Sequence, residues 1–481
     1  MKRTYIVICL LTILIISPAA MAQNWKAGTS RVNIIPEKQI WMSGYGGRDH
    51  VAEGKLTDLW AKSLAITDAN GNTGVLITLD LVGIHADTTA AICEALKEQH
   101  GLERSQIAIN CSHTHTGPAV GMNLGPLHYL QIPKAEQEQL DLYEKALIKK
   151  VVSGVSQAIE DVEPASLNWG SGLCAVAVNR RNNSESQVPE VRIAGKLNGP
   201  YDHDVPVLAV RRADKSLKTI VFGYACHATV LSFYQWSGDY PGFAQISVEE
   251  QFPGVNAMFW AGCGADQNPL PRRTVELAKS YGHRLGTAVG EVINGTMHAV
   301  ESTLRTEYTE VDLPLQQLPT VDELKGRLDS DQKYEKARAK YILDRLGDKK
   351  ELDTTYPYPI GSWRIGKDVR FVFLGGEVVV DYAISIKSLA AGTPEDRAQM
   401  VWVAGYSNDV MAYIPSRRVL REGGYEGGGS NAYYGMPGLW APELEAMIMH
   451  EVEEQWKLAD RCRPINGTLS VYRKYPSSRG K

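Results

Sequence analysis

The chain has 481 residues, with 51 Lys+Arg against 55 Asp+Glu and a formal net charge of −4. A mildly acidic chain without a basic block is a poor match for nucleic acid, so that partner class is set aside. The length admits one large domain or two smaller ones.

Residues 1–22 read as an export signal. Lys2 and Arg3 form a positive n-region, "YIVICLLTILII" an apolar h-region, and Ala20-Met21-Ala22 a small-x-small cleavage pattern before Gln23. The apolar run is too short to span a bilayer comfortably and has no stop-transfer flank. An exported protein, periplasmic or secreted, with no stable membrane span after cleavage is expected. Export permits disulfides, but Cys93, Cys111, Cys174, Cys226, Cys263 and Cys462 are irregularly spaced and include no CxxC pair. Small buried apolar side chains are an equally good use for them.

Strand-like and helix-like stretches then alternate. "TGVLITLDLVGI" (73–84) is a β-branched apolar run suited to a strand buried on both faces. "ADTTAAICEALKEQHG" (86–101) reads as a helix with Asp87 near its start and Gly101 as its stop. "QIAINCSHTHTGP" reads as strand then loop, and 141–162 as an amphipathic helix. "VPVLAVRR", "LKTIVFGYACHA" and "VNAMFWAGCGAD" are further strands, and 274–295 another helix. A charged helical insertion is expected at about 316–355, strand then helix at 368–387, and a glycine-rich loop at 425–438. This order predicts an α/β fold: a mixed β-sheet flanked by helices in one large domain over 23–455, with a tail over 456–481.

Five stretches carry chemistry. His113 and His115 follow the strand "QIAIN"; at i and i+2 of extended chain both imidazoles face one cavity, where one or both can bind a metal. An isolated H-x-H pair is as often a solvated loop. His227 ends a strand in "GYACHATVLS", and "SGDYPGFA" places Asp239 near the same strand end. "FWAGCGADQNP" runs into a turn presenting Asp266, Gln267 and Asn268, residue types that also favour plain turns. Glu377 in "VFLGGEVVVDY" follows an apolar strand and needs a cation or a set of donors. Tyr413 and Tyr425 lie in "AGYSNDVMAYIPSRRVLREGGYEGGGS".

In this order the stretches resemble the neutral/alkaline ceramidases. "HTHTGP" is similar to that family's H-T-H-S-G-P, "NRR" (179–181) to its N-R-S, and "YACHAT" with "SGDYPGFA" to its strand-histidine segment and following turn. "LGGE" is similar to its P-G-E, and "GYSNDVMAYIPSRRVLREGGYEGG" to its tyrosine segment, with the two tyrosines twelve residues apart as the family has them. The matches run from about residue 26 to 440. The resemblance implies one zinc ion held by His113, His227, Glu377 and Tyr413, with His115, Arg180 and Tyr425 at the reaction centre. Such an ion suits imidazole nitrogen and carboxylate or phenolate oxygen, and activates water. Arg180 is a fixed cation for a substrate oxygen.

Two departures stand out. Where the family segment G-D-V-S-P-N carries its catalytic serine, this chain has "GADQNP", and an ungapped reading puts Gln267 there. Metal-activated water, with Asp266 or His115 moving protons and Gln267 and Asn268 binding substrate, replaces a covalent serine route. After about residue 455 only a short polar tail remains, so the family's C-terminal β-sandwich domain is expected to be missing. The expected activity is zinc-dependent hydrolysis of an N-acyl amide; an ester or glycosidic bond on the same scaffold, or a non-catalytic metal-containing binding protein, are the alternatives. The substrate is a small molecule, lipid or glycan. A narrow apolar slot would suit an acyl chain, and a polar bowl lined by aromatics of "WSGDY" and "GGGSNAYYG" would suit sugars.

Overall fold

The computed structural model describes residues 24–390, 400–461 and 472–474. The expected leader, Cys462 and most of the expected tail lie outside them.

Two β-sheets pack face to face, and helices cover their outer faces. The first sheet has nine strands, with main order Asn256–Ala261, Leu217–Tyr224, Asp204–Arg212, Glu163–Leu173, Trp25–Asn33, Trp60–Thr67, Thr73–Leu79 and Ile107–Cys111. It is mixed: Asn256–Ala261 runs parallel to Leu217–Tyr224 and Thr73–Leu79 parallel to Ile107–Cys111, while the central pairs are antiparallel. The second sheet is built on Met400–Ala404, Val369–Leu374, Thr355–Ile365 and Leu304–Gln316. Between the sheets, Leu64, Leu208, Val221 and Trp260 of the first meet Trp363, Phe371, Phe373 and Trp402 of the second. Each such buried side chain contributes about 1.5–3 kcal/mol of transfer free energy. The close approach requires Gly223, since a Cβ there would lie 2.5 Å from the Trp402 indole nitrogen.

Helices Lys134–Glu160, Asp239–Gln251 and Val275–Asn294 cover the first sheet; Val380–Ala390 and Leu444–Arg461 cover the second. The strand over 73–84 is shorter than its apolar run: it stops at Leu79, where the buried carboxylate of Asp80 accepts from the Trp60 N–H. The helix expected at 141–162 begins earlier, at Lys134. Two helices, Val321–Arg327 and Lys333–Leu346, stand between the paired strands Leu304–Gln316 and Thr355–Ile365. The final helix continues to Arg461, past the point where the tail was expected to begin. Cys93, Cys111, Cys174, Cys226 and Cys263 are buried free thiols.

Parallel strands of both sheets end along one rim. From these ends come His113 after Cys111, His227 after Tyr224, Asp266 after Ala261 and Glu377 after Leu374. Asn110 stitches the sheets behind this rim: its Oδ1 accepts from the Ala261 N–H at 2.7 Å, and its Nδ2 donates to the Gly405 carbonyl at 2.8 Å. In open α/β sheets such carboxyl-end rims are where ligands bind.

Candidate metal centre

Each side chain of the centre is placed by its own backbone. His113 lies past the strand end with φ +60, a left-handed conformation rare outside glycine. The two imidazoles therefore converge through a tight turn, which replaces the extended i, i+2 geometry expected from the sequence. Glu377 and Tyr413 are opposed in a short parallel ladder, Glu377–Val378 with Tyr413–Ile414. The His227 N–H donates to the Gln267 carbonyl at 2.9 Å, fixing the chain just beyond its strand.

The nitrogens meet closely. The Nε2 atoms of His113 and His227 are 3.1 Å apart, and that of His115 is 3.1 Å from His113 Nε2. Oε2 of Glu377 is 3.1 Å from the Nε2 of both His113 and His227. The Tyr413 hydroxyl lies 3.3 Å from His227 Nε2. His113, His227 and Glu377 are all buried.

Protonation decides what this cluster is for. His113 Nδ1 lies 2.6 Å from the Val82 carbonyl, and His227 Nδ1 2.9 Å from that of Gly264. A carbonyl only accepts, so each Nδ1 carries a proton and each Nε2 is the ring nitrogen turned to the centre. Burial, then the charges of Arg180 and His113, lower His227 to about 4. Burial and the two neighbouring imidazoles likewise hold His115 well below its ordinary value, and its buried Nδ1 has no hydrogen-bond partner among the described residues. Burial works against ionisation of Glu377, but the charges and hydrogen bonds of His113 and His227 together outweigh it and hold the carboxyl well below the usual range. Ring nitrogens and a carboxylate oxygen crowded within 3.1 Å need a positive charge between them, a proton or a metal ion. The donor set, imidazole nitrogens with carboxylate and phenol oxygen, fits a divalent ion of the zinc type.

Supporting contacts fix this set from outside. The Tyr434 hydroxyl donates to Glu377 Oε1, and the Tyr406 ring lies 4.3 Å from that of His113. Gly44, at φ +96, packs against His115, where a Cβ would fall 2.4 Å from Nδ1. Tyr406 and Tyr434 were not singled out in the sequence; the only signal for Tyr434 was an aromatic pair inside a glycine-rich run. That run is not one loop: Tyr425–Gly429 forms a helical turn and Asn431–Tyr434 a short helix.

Arg180 links the centre to a cleft of about 590 Å³. Its guanidinium donates to Glu426 at 2.7 Å, to Tyr413 Oη at 3.1 Å and to Asn268 Oδ1 at 3.3 Å. Tyr425, 47 % exposed, borders the cleft, its ring 5.2 Å from that of Tyr413. Burial pushes the Tyr425 phenol up, so it stays protonated.

Three stretches expected at the site are engaged within the protein. Asp266, expected to move protons, is tied into the fold: Oδ1 accepts from the Val380 N–H at 2.8 Å and Oδ2 from Asn179 Nδ2 at 3.0 Å. Burial raises its carboxyl to about 6. Gln267 is not positioned for substrate, because its amide donates to the Ala225 carbonyl at 2.5 Å and accepts from the Asp202 N–H at 3.1 Å. Trp236 and Tyr240 of "WSGDY" are core residues and line no bowl.

Comparison with known proteins matches this geometry to a family. Residues 26–265 match the model for "Neutral/alkaline non-lysosomal ceramidase, N-terminal". "Neutral ceramidase 1" of Arabidopsis thaliana is 26% identical over 253 residues, which is 51% of this chain and 32% of the relative, so the chain spans about a third of that protein's length. The crystal structure of neutral ceramidase from Pseudomonas aeruginosa superposes with a TM-score of 0.71 at 20% identity, covering 93% of this chain and 76% of that one. A ceramidase complexed with C2 superposes with a TM-score of 0.70 at 18% identity, covering 93% and 77%. The fold, the matched segment and the ordered motifs agree, and the chain belongs to the neutral/alkaline non-lysosomal ceramidase family.

Proposed function

We propose that the chain is an exported zinc-dependent hydrolase that cleaves an N-acyl amide with water, giving a carboxylic acid and an amine. The observation that carries this reading is the convergence of the His113 and His227 Nε2 atoms on the Glu377 carboxylate, all at 3.1 Å. Ceramidase, the activity named for the plant and bacterial relatives, is itself amide hydrolysis.

His113, His227 and Glu377 would hold the ion, with Tyr413 as the fourth candidate donor. A divalent ion there supplies Lewis acidity and brings the pKa of water toward neutrality. The chain's own groups do the rest. His115, neutral and half-buried beside the centre, accepts a proton and returns it to the departing amine. Tyr425 keeps its proton and donates a hydrogen bond to the developing oxyanion. Arg180 holds the Tyr413 hydroxyl and stays charged throughout. Gln267, with both amide ends bound to backbone, offers no nucleophile, so no acyl-enzyme forms at that position.

The test is a panel of N-acyl, acetyl-ester and aryl-glycoside compounds, assayed before chelation, after it, and after zinc is restored. Turnover of N-acyl members alone, lost on chelation and regained with zinc, is expected. Turnover that survives chelation contradicts the metal role. Turnover confined to esters or glycosides contradicts the amide assignment.

A further inference from the structure

The cleft beside Arg180 differs in character from a lipid slot. Three arginines and three glutamates line it, and each arginine is already paired. Arg180 and Arg181 share Glu426 at 2.7 and 2.6 Å, Arg181 also reaches Glu422 at 3.0 Å, and Arg272 grips Glu185 at 2.8 Å. The lining is formally neutral, yet it alternates guanidinium donors with carboxylate acceptors. Asn268 adds a further amide. The one aliphatic side chain in the lining, Leu270, is 1% exposed and offers almost no apolar wall. Gly423 and Gly424, with φ +67 and +79, leave part of the rim as bare backbone. At the mouth stands Tyr425, nearly half exposed, with the Arg180 guanidinium carbon 5.7 Å from its ring centre.

Such a surface selects by elimination. A net-charged ligand meets groups whose charge is already cancelled. A long acyl chain finds one exposed aromatic ring and no exposed aliphatic side chain to bury against. A sugar ring presents vicinal hydroxyls, each both donor and acceptor, which match paired guanidinium and carboxylate edges. Its C–H face packs on an exposed aromatic ring. The volume falls within the roughly 300–1,000 Å³ usual for small-molecule sites.

We infer that this cleft seats an uncharged, polyhydroxylated group, a saccharide ring, and that the amide cleaved at the histidine centre is an N-acyl substituent of that sugar. The second half rests on the proposed amide hydrolysis; the first does not. Arg180 joins the two sites, since it faces the cleft and donates to the Tyr413 hydroxyl, itself 3.3 Å from His227 Nε2.

Binding and turnover are therefore measured separately on the zinc-loaded full chain. Saturation-transfer NMR and calorimetry use the methyl glycosides of N-acetylglucosamine, N-acetylgalactosamine, glucose and galactose at millimolar concentration. Binding of at least one is expected, weakened about tenfold by Arg272→Gln and by Glu185→Gln, each of which removes one charged hydrogen-bonding edge. Melting curves of both variants check that they are folded. Hydrolysis is compared on N-acyl amino sugars, N-acyl long-chain amino alcohols and N-acyl dipeptides, with higher kcat/KM expected on the sugars. The same two variants are expected to raise KM for the sugar and leave kcat near wild type. Saccharide binding without amide turnover keeps the cleft assignment and removes the amide reading. Turnover of long-chain or peptide amides, with no saccharide bound, overturns the cleft assignment and leaves the amide reading standing.

Discussion

The histidine centre and the cleft beside it are held by different kinds of contact. At the centre, backbone carbonyls of Val82 and Gly264 fix the two imidazoles, and a parallel ladder fixes Glu377 against Tyr413. In the cleft, side chains hold one another: Arg180 and Arg181 on Glu426, Arg272 on Glu185. The first arrangement belongs to the strand ends of two packed sheets. The second belongs to connecting segments, where substitution leaves the sheets untouched. The centre is thus built into the fold, and the cleft is held by replaceable side chains.

That contrast yields graded expectations. Replacing a centre residue has the largest effect: His227→Ala or Glu377→Ala is expected to cost more than about 100-fold in metal affinity, beyond the range for outer-shell changes. Metal titration by competition with a chromophoric chelator checks it. Tyr434→Phe, which removes the hydroxyl oriented on Glu377, is expected to cost about 10–100-fold in metal affinity or activity with the fold intact. Retention of full affinity would place Tyr434 outside the centre's support.

Asp266 is the point where the two regions join. It braces Asn179, next to Arg180, and the first N–H of the helix Val380–Ala390 that follows Glu377. Asp266→Ala leaves a buried N–H and an amide unpaired, with an expected loss of about 2–4 kcal/mol by urea unfolding. Metal affinity and saccharide binding should fall together in this variant, unlike every single-region change above.

The smallest effect is a pH dependence behind the centre, at His128, whose Nε2 accepts from the Gly44 N–H at 3.0 Å. Burial, then the charge of Arg48, lowers the buried His128 to about 3. The unfolded chain binds that proton near the ordinary 6.5 and the folded chain does not, so stability falls as pH drops below 6.5 and keeps falling toward 3. His128→Gln is expected to flatten this slope, by an amount on the order of 1–3 kcal/mol between pH 6.5 and 4.5. Identical slopes for variant and wild type would show that His128 is not the group responsible.

Much of this was legible in the sequence. Apolar β-branched runs marked the strands, and residues at their ends marked the rim: His113, His227 and Glu377 each follow such a run. The facing of two sheets was not legible, because a strand buried on both faces reads the same against helices or against a second sheet. Nor was the left-handed turn at His113, which tertiary contacts impose against local preference. Asp266 and Gln267 read as site residues because they sit in a turn after a strand; only the positions of Val380, Asn179, Ala225 and Asp202, distant in sequence, show their polar atoms to be engaged elsewhere. Glu426 went unnoticed beside Tyr425, since its two arginine partners lie some 245 residues earlier.

The most direct test of the centre is metal stoichiometry by mass spectrometry on the purified full chain, wild type beside a His113→Ala, His227→Ala double variant. One zinc per chain in the wild type and none in the folded double variant is the expected result. An equal metal content in the two proteins, or none in the wild type after incubation with zinc, would contradict a shared ion at these side chains.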